Sequence, residues 1–299
     1  MLTKPQIKVI ISLIKGNTTL KSISQNIKIS PSWASNILNQ LINLSLIKVE
    51  RKGNQVRYVF TDAPSISKLL KFVINTPQFN FEFFLSGLNL RILTFCIFSP
   101  KTTGLIAKAL KTSKKTIQNR IANIKKVGLL VTEKDHLILF NKKMYLDLYE
   151  FIRELRMSSN KKVNILWKFE ERILFETRRK EEIEGNLTGF SRYTELKVPV
   201  YNNSYYCYLP EKKLSKEEIF IHSLLQVEDA RSLMLALTFY LKHDLNLKRL
   251  EDLAREYDCY EKLLDIKRIL KQEKTDIFPL IKEKELKEFF KQYNIKWKR

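Results

Sequence analysis

The sequence predicts an α+β protein that is mainly helical and carries small β elements. Two stretches, Ile7–Val49 and Leu90–Thr132, superimpose without a gap at a shift of 83 residues, and their apolar positions coincide. In each stretch apolar residues recur at helical spacing, and a short apolar run follows. In the C-terminal half, runs typical of strands come before runs typical of helices. The chain is therefore expected to hold a repeated helical module and then a small α+β domain.

Three helices are predicted in the first module. The apolar face of the first comprises Ile7, Ile10, Ile11 and Ile14, and Gly16 ends it. Thr19 is a suitable N-cap for the second helix. Ser30 and Pro31 begin the third, because serine caps a helix and proline suits its first turn. The buried stripe of this third helix is expected to comprise Ala34, Ile37, Leu38, Leu41 and Leu44.

A hairpin is predicted after the third helix. Leu46–Val49 and Gln55–Phe60 have the composition of strands, and Glu50–Asn54 that of a polar turn. Gly53 allows the positive φ that such turns need. Three helices followed by a basic hairpin are typical of a winged helix.

The second module repeats this plan. Thr103 and Ser113 are its predicted caps, and Ile117, Ile121 and Ile124 form the inward stripe. Val127–Leu130 leads into a strand, and a shorter wing turns at Lys134-Asp135 before His136–Phe140. Three further segments are predicted to pack around the modules, namely a helix at Pro64–Asn75, an aromatic segment at Asn80–Leu85 and a helix at Tyr145–Met157.

The C-terminal half is expected to be a small α+β domain. Tyr205–Leu209 and Ile219–Leu225 are its clearest predicted strands. The predicted helices are Ala230–Leu241, Leu247–Tyr257, Tyr260–Leu270 and Lys284–Tyr293.

These elements predict five segments, with a domain boundary at Ser158–Lys162. They are a first winged helix at 1–62, a helical linker at 63–88, a second winged helix at 89–143, a linking helix at 144–160 and a C-terminal α+β domain at 161–299. We expect the last segment to serve dimerisation or the binding of a partner protein.

Positive charge is concentrated in the half that carries the modules. Residues 1–160 have 25 Lys and Arg against 8 Asp and Glu, whereas residues 161–299 have 29 against 24, within a total net charge of +22. A basic surplus of this kind favours a polyanionic partner. Cys96, Cys207 and Cys259 are isolated, which predicts reduced thiols in a cytoplasmic protein. The apolar run near the N-terminus is too short and too rich in lysine for a signal peptide or a membrane span.

In a winged helix the third helix enters the major groove of double-stranded DNA. The residues predicted to contact DNA from the first module are Ser32, Asn36, Gln40 and Asn43 on the helix and Arg51, Lys52 and Arg57 on the wing. Those from the second are Lys114, Lys115, Thr116, Gln118, Asn119, Arg120, Asn123 and Lys126, with Lys134 on its wing. Amide side chains suit adenine, which they bind through N6 and N7.

The first module's third helix has an unusual composition for this role. From Pro31 to Ile47 it carries no charged residue. Protein–protein contact is therefore an alternative for that helix, and Trp33 is expected to pack on its inner side.

No catalytic, cofactor-binding or metal-binding constellation is predicted. The pairs Glu170-Glu171 and Glu181-Glu182 are adjacent in sequence, so their members do not share a helix face. His222 lies in an apolar run, where a hydrogen-bonded core histidine is the favoured interpretation over a ligand. No glycine-rich phosphate loop or metal-ligand spacing is present in the sequence.

The paired modules resemble archaeal winged-helix transcription regulators of the MarR and ArsR type. The resemblance rests on Ser30, Ala34 and Asn36, on the matching Ser113, Ile117 and Asn119, and on the apolar pairs that lead into the wings. Downstream, Leu247–Ala254 and Leu263–Ile269 resemble the C-terminal part of AbiEi-type antitoxins, a family that usually has a single winged helix. This second resemblance implies autoregulatory DNA binding together with a protein-contact domain.

The sequence thus predicts a transcription regulator, not an enzyme, that binds double-stranded DNA and requires no cofactor. One alternative is an antitoxin-like protein whose C-terminal domain binds a partner enzyme and which regulates its own operon. A nucleic-acid-modifying enzyme that uses C-terminal carboxylates is a weaker alternative.

Overall fold

The first module begins with helices α1 (Lys4–Ile14), α2 (Leu20–Ile27) and α3 (Pro31–Asn43) in a computed structural model. The structure describes residues 2–53, 55–157 and 163–297, apart from the side chains of Lys52 and Lys180. Thr19 and Ser30 cap α2 and α3 as predicted, through hydrogen bonds from the N–H groups of Ser22 and Trp33. More residues of helix α1 are buried than its predicted apolar face contains, because α2 and α3 pack against it together with a later helix, α5 (Phe81–Phe84).

The hairpin after α3 is longer and its turn tighter than predicted. Strands β1 (Ile47–Lys52) and β2 (Gln55–Phe60) are antiparallel, and pairing continues from Ile47↔Phe60 to Lys52↔Gln55. Gly53 lies in the turn with φ of +58°. The predicted turn at 50–54 is too long, because the strands pair as far as Lys52 and Gln55. Short connections of this kind are favoured in hairpins since their backbone twist matches that of the paired strands.

Between the modules lie α4 (Pro64–Asn75) and α5, both within segments that the sequence predicts. The Phe72 and Phe79 rings meet edge to face at 5.1 Å, and Phe79 also contacts Phe81 and Phe84. Edge-to-face rings of this kind add to the stabilisation from burial alone. The aromatic segment is therefore a core element, as expected.

The second module contains α6 (Gly87–Phe95), α7 (Thr103–Ala109) and α8 (Lys114–Lys126), then β3 (Leu130–Thr132) and β4 (Ile138–Phe140). Ser113 caps α8, but Thr102, not Thr103, caps α7, since its hydroxyl accepts the Leu105 N–H at 3.2 Å. A bridge between Lys101 and Ile138 adds a third extended segment to the small sheet. The wing is short, as predicted, and a 3₁₀ turn at Lys134–His136 delays β4 by two residues. Helix α9 (Leu146–Met157) follows.

In the C-terminal half, four antiparallel strands in the order β5-β6-β8-β7 form one sheet. They are β5 (Asn164–Phe169), β6 (Arg172–Thr177), β7 (Asn186–Leu187) and β8 (Tyr205–Leu209). Helices come next: α10 (Lys216–Leu224), α11 (Ala230–Lys242), α12 (Leu247–Glu256), α13 (Tyr260–Leu270) and α14 (Glu283–Lys291).

The predicted strand Ile219–Leu225 is wrong, because this run is most of helix α10. Ser215 and Glu218 form a reciprocal capping box that fixes the start of the helix. Every residue from Glu218 to Leu224 is buried. A run buried all round has no polar face, so its sequence does not distinguish a strand from a helix.

About 52% of the structure is helical, and its sheets are small and antiparallel, which confirms the α+β fold class. The chain divides into two compact units, Met1–Arg156 and Met157–Arg299. The predicted boundary at Ser158–Lys162 lies outside the described residues, and the division into five segments stays a prediction.

Candidate nucleic-acid interface

The outward face of α3 is uncharged and rich in amides. Ala34, Ile37, Leu38 and Leu41 are buried, so a helix of 3.6 residues per turn must present the opposite face to solvent. That exposed face comprises Ser32, Asn36, Asn39 and Asn43, which we call the α3 outer face. Asn39 is absent from the predicted set of DNA-contacting residues, although the spacing of the apolar stripe places it on the side of the helix that faces solvent.

Gln40, which was predicted to contact DNA, lies at the edge of this face and has a partner within the protein. Its side-chain carbonyl oxygen accepts a 2.9 Å hydrogen bond from the side-chain amide of Gln6 on α1. The contact joins two helices of the same module. Gln40 therefore has a structural role that the sequence did not indicate.

The expectation that Trp33 packs inward is wrong. Half of its surface is exposed (50%), because the buried stripe begins only at Ala34 and Trp33 lies in the first turn. Val49 and Val56 of the hairpin are also exposed, at 44% and 42%. The first module thus presents apolar as well as amide side chains to solvent.

The arginines of the first hairpin lie on opposite faces of it. Arg51 pairs with Val56, and Glu50 pairs with Arg57. Because side chains alternate across a strand, Arg51 and Arg57 point to opposite sides. Both are exposed, and only one can face a given DNA backbone. The side chain of Lys52 lies outside the described residues.

The outward face of α8 combines positive charge with an amide. Ile117, Ile121 and Ile124 are buried, and the opposite side comprises Lys115, Asn119, Ala122 and Lys126, which we call the α8 outer face. The helix has no acidic residue. Within the described chain, Lys115 and Lys126 have no ion-pair partner, so their charges are available to an external anion.

The remaining predicted residues of the second module lie elsewhere on α8 and on the wing. Lys114, Thr116, Gln118, Asn123 and Lys134 are all exposed. Thr116 also shares a 2.8 Å hydrogen bond with the hydroxyl of the capping Ser113. Lys134 lies in the wing turn. The other three residues of α8, Lys114, Gln118 and Asn123, make no such local bond within the described residues.

Arg120, in contrast, points toward the segment between the modules. It occupies the position that Ile37 has in α3, at the edge of the buried stripe, and it is half-buried. Its guanidinium carbon lies 5.9 Å from the ring centroid of Phe83 on α5, which is within the range of a cation–π contact. Arg120 thus contacts the linker segment, which the sequence did not predict.

The two outward-facing helices are connected through α1 and α5. Gln40 of α3 bonds to Gln6 of α1, and Lys4 of α1 lies 3.6 Å from the carboxylate of Glu82 on α5. The next residue on α5, Phe83, contacts Arg120 of α8. A continuous series of contacts therefore runs from α3 to α8.

The described part of the C-terminal unit contains buried polar side chains but no candidate metal centre. Across the described ranges, no group of three or more His, Cys, Asp or Glu side chains could hold a metal ion. His222 is fully buried, and its Nδ1 lies 2.7 Å from the Thr188 hydroxyl. Burial lowers the pKa of His222 to about 3, so the ring is neutral at physiological pH.

Comparison with known proteins gives no relative for this chain. It matches no protein-family model, and no curated protein or solved structure is significantly similar to it. In the part of the chain that the structure describes, no helix has both the length and the apolar composition needed to cross a bilayer.

Proposed function

We propose that this protein is a sequence-specific, double-stranded DNA-binding transcription regulator whose two N-terminal modules act as winged helices. The observation that carries the proposal is the α8 outer face. Within the described residues, it presents two lysines without ion-pair partners and an exposed amide on a helix that has no acidic residue. Such a surface combines contacts to phosphate with the reading of base edges.

In this proposal Asn119 reads a base, and Lys115 and Lys126 bind phosphates. Asn36, Asn39 and Asn43 read the adjacent half of the site, where contact depends on amide hydrogen bonds instead of charge. We leave Gln40 and Arg120 out of the reading surfaces, because each is held by a contact within the protein. The C-terminal unit then serves dimerisation or partner binding in the cytoplasm.

The salt dependence of DNA binding by the full chain tests this proposal. If about six phosphates are neutralised, log K should fall with log salt concentration with a slope of about −5. Lys115→Ala with Lys126→Ala should reduce the slope by about 2. The matched control, Lys213→Ala with Lys284→Ala, removes two exposed lysines of the C-terminal unit and should leave the slope unchanged. No binding, or binding that is independent of salt, would refute the proposal.

Selection of binding sites from random duplexes tests the role of the first module. Because one outer face is neutral and the other basic, the selected site should have two unlike halves. Footprinting should show protection of both. A short palindrome protected by the second module alone would exclude DNA reading by α3.

A partner-binding role for the first module is the second candidate. The exposed side chains of Trp33, Val49 and Val56, next to a helix without charge, favour it. Trp33→Ser would then abolish the partner contact and leave DNA affinity intact. In the proposed DNA-reading role, Asn36→Ala changes the sequence preference instead.

A further inference from the structure

Helices α4 and α9 follow the two hairpins at equivalent positions of the repeat. Each has 12 residues, and a shift of 82 places Pro64–Asn75 on Leu146–Met157 from end to end. The modules themselves superimpose at a shift of 83. The repeat therefore extends past the wings and includes one further helix in each copy.

These two helices contact each other and run antiparallel. The ammonium nitrogen of Lys68 lies 2.6 Å from the carboxylate of Glu150, and that of Lys71 lies 3.5 Å from the carboxylate of Asp147. Three residues forward on α4 thus correspond to three residues back on α9. Because residues three apart are neighbours on one helix face, the two ion pairs lie one turn apart along the same contact.

Lys68 and Glu150 occupy the same position of the repeat, since the shift of 82 places one on the other. Where two equivalent helices cross antiparallel, the position that meets its own equivalent lies on the two-fold axis that relates them. One turn further along α4, the rings of Phe72 and Tyr145 meet edge to face at 6.0 Å. The helices α4 and α9 are thus arranged as the two halves of an internal dimer, with Lys68 and Glu150 on its pseudo-two-fold axis.

The opposite charges at this axial position favour the pairing of unlike helices. In a pair of identical helices the axial residue would face its own copy, which would oppose two Lys68 or two Glu150 side chains. Like charges so placed repel, whereas the observed pair attracts. Hydrogen bonding between the two side chains raises the pKa of Lys68 and lowers the pKa of Glu150, so both are charged at neutral pH.

We propose that Lys68 and Glu150 position the two modules as an intramolecular dimer, so that one chain supplies both halves of the DNA-reading surface at a fixed spacing. In this arrangement α9 of the same chain covers α4, and the axial charges disfavour the like helix of a second chain. The part that concerns DNA rests on the proposed function, and the pairing within one chain does not.

Zero-length crosslinking of the full chain tests the pairing without DNA. A carbodiimide joins a lysine amine to a carboxylate in direct contact, with loss of water, and mass spectrometry identifies the amide-linked peptides. The sample is an equal mixture of ¹⁵N-labelled and unlabelled chains, diluted together so that any associated chains exchange. The product that joins Lys68 to Glu150 should carry a single label, and Glu150→Gln should remove it.

The Lys267–Glu251 pair of the C-terminal unit, at 2.8 Å, is the internal control for the reaction. It should react in the wild type and in Glu150→Gln alike. Products of mixed label at Lys68 and Glu150 would overturn the proposal, because they would show pairing between chains. Absence of this product while the control pair reacts would overturn it too.

The spacing of the two half-sites tests the positioning role in DNA binding. Insertion of five base pairs between the halves of a selected site turns one half by about half a helical turn. A rigid pair cannot follow both halves, so the wild type should lose at least about tenfold in affinity. Lys68→Glu opposes two carboxylates at the axis and should reduce this loss by about threefold. Lys68→Glu with Glu150→Lys should restore it.

A matched charge reversal separates positioning from general electrostatics. Lys143→Glu changes an exposed lysine of the same unit outside the α4–α9 pair, so it should weaken binding to both spacings by the same factor. Failure of the charge swap to restore the spacing preference, or a loss of that preference in Lys143→Glu, would overturn the positioning role. A chain that binds no DNA would refute the proposed function, and the crosslinked products would still decide the pairing.

Discussion

The side-chain amide of Gln6 donates a 2.9 Å hydrogen bond to the side-chain carbonyl oxygen of Gln40. Gln6 is only 5% exposed, and the bond ties α3 to α1 at the edge of the α3 outer face. The side-chain amide of Gln40 therefore contributes to the packing of α3 against α1.

Gln40→Ala should therefore affect stability more than DNA reading. The variant leaves the Gln6 amide without its partner, which should lower the free energy of unfolding by about 1–3 kcal/mol. Asn36→Ala should do the reverse, with little effect in urea denaturation and a loss of about 1–3 kcal/mol of base discrimination. Equal effects of the two variants on discrimination would place Gln40 on the reading surface after all.

Asn119→Ala and Lys126→Ala should weaken DNA binding in different ways. Asn119 is expected to contact a base, so its loss should relax preference at one position of the site. Lys126 is expected to contact phosphate, so its loss should weaken all sequences equally and reduce the salt slope by about 1. Affinity for the selected site and for single-base variants of it, measured at several salt concentrations, distinguishes the two. If both variants relax the same position, the assignment of the α8 outer face is wrong.

Asp265→Asn should destabilise the C-terminal unit at neutral pH. The buried carboxylate accepts hydrogen bonds from the N–H groups of Asp276, Ile277 and Phe278 and pairs with Arg268 at 3.0 Å. Burial alone would raise the pKa of Asp265, but these partners hold it below its ordinary value. We expect a loss of about 2–3 kcal/mol in chemical denaturation at pH 7.

The same carboxylate predicts the direction of the pH dependence. A lowered pKa in the folded state gives stability that is complete above the unfolded value of about 4 and is lost as pH falls through the folded value. The difference between the wild type and Asp265→Asn should therefore shrink in acid. Asp252→Asn, at an exposed position of α12, is the matched control and should have little effect at any pH. A constant difference in acid would contradict the assignment.

His222→Gln should flatten the pH dependence of stability between about pH 6.5 and 3. In this window the unfolded chain binds a proton at position 222, whereas the folded chain, with the His222 pKa lowered by burial to about 3, does not. The free energy of unfolding should thus fall by up to about 1.4 kcal/mol per pH unit on acidification because of this group. Equilibrium unfolding at several pH values measures the slope. Replacement of the exposed His136 by Gln is the control. If the free energy of unfolding of His222→Gln had the same slope against pH as that of the wild type, the prediction would be contradicted.

The helices of the two modules were predictable because their determinants are local. Thr19, Ser30 and Ser113 cap the helices that follow them, and the spacing of Ile117, Ile121 and Ile124 fixes the buried side of α8. A cap and a periodic stripe involve residues three or four positions apart. The same stripe also determines which residues of the helix face solvent.

Tertiary contacts decided the rest. The run that forms α10 is buried on all sides, so its sequence shows no alternation of apolar and polar residues that would indicate a helix or a strand. The capping box at Ser215 and the surrounding packing made it a helix. Gln40 and Arg120 are residue types that commonly contact DNA. In the structure, however, Gln40 bonds to Gln6, 34 positions away in the chain, and Arg120 contacts Phe83, 37 positions away. The sequence alone determined the helical modules, their apolar stripes and the basic surplus. Which of the outward polar side chains have a partner within the protein depended on long-range neighbours that no local pattern encodes.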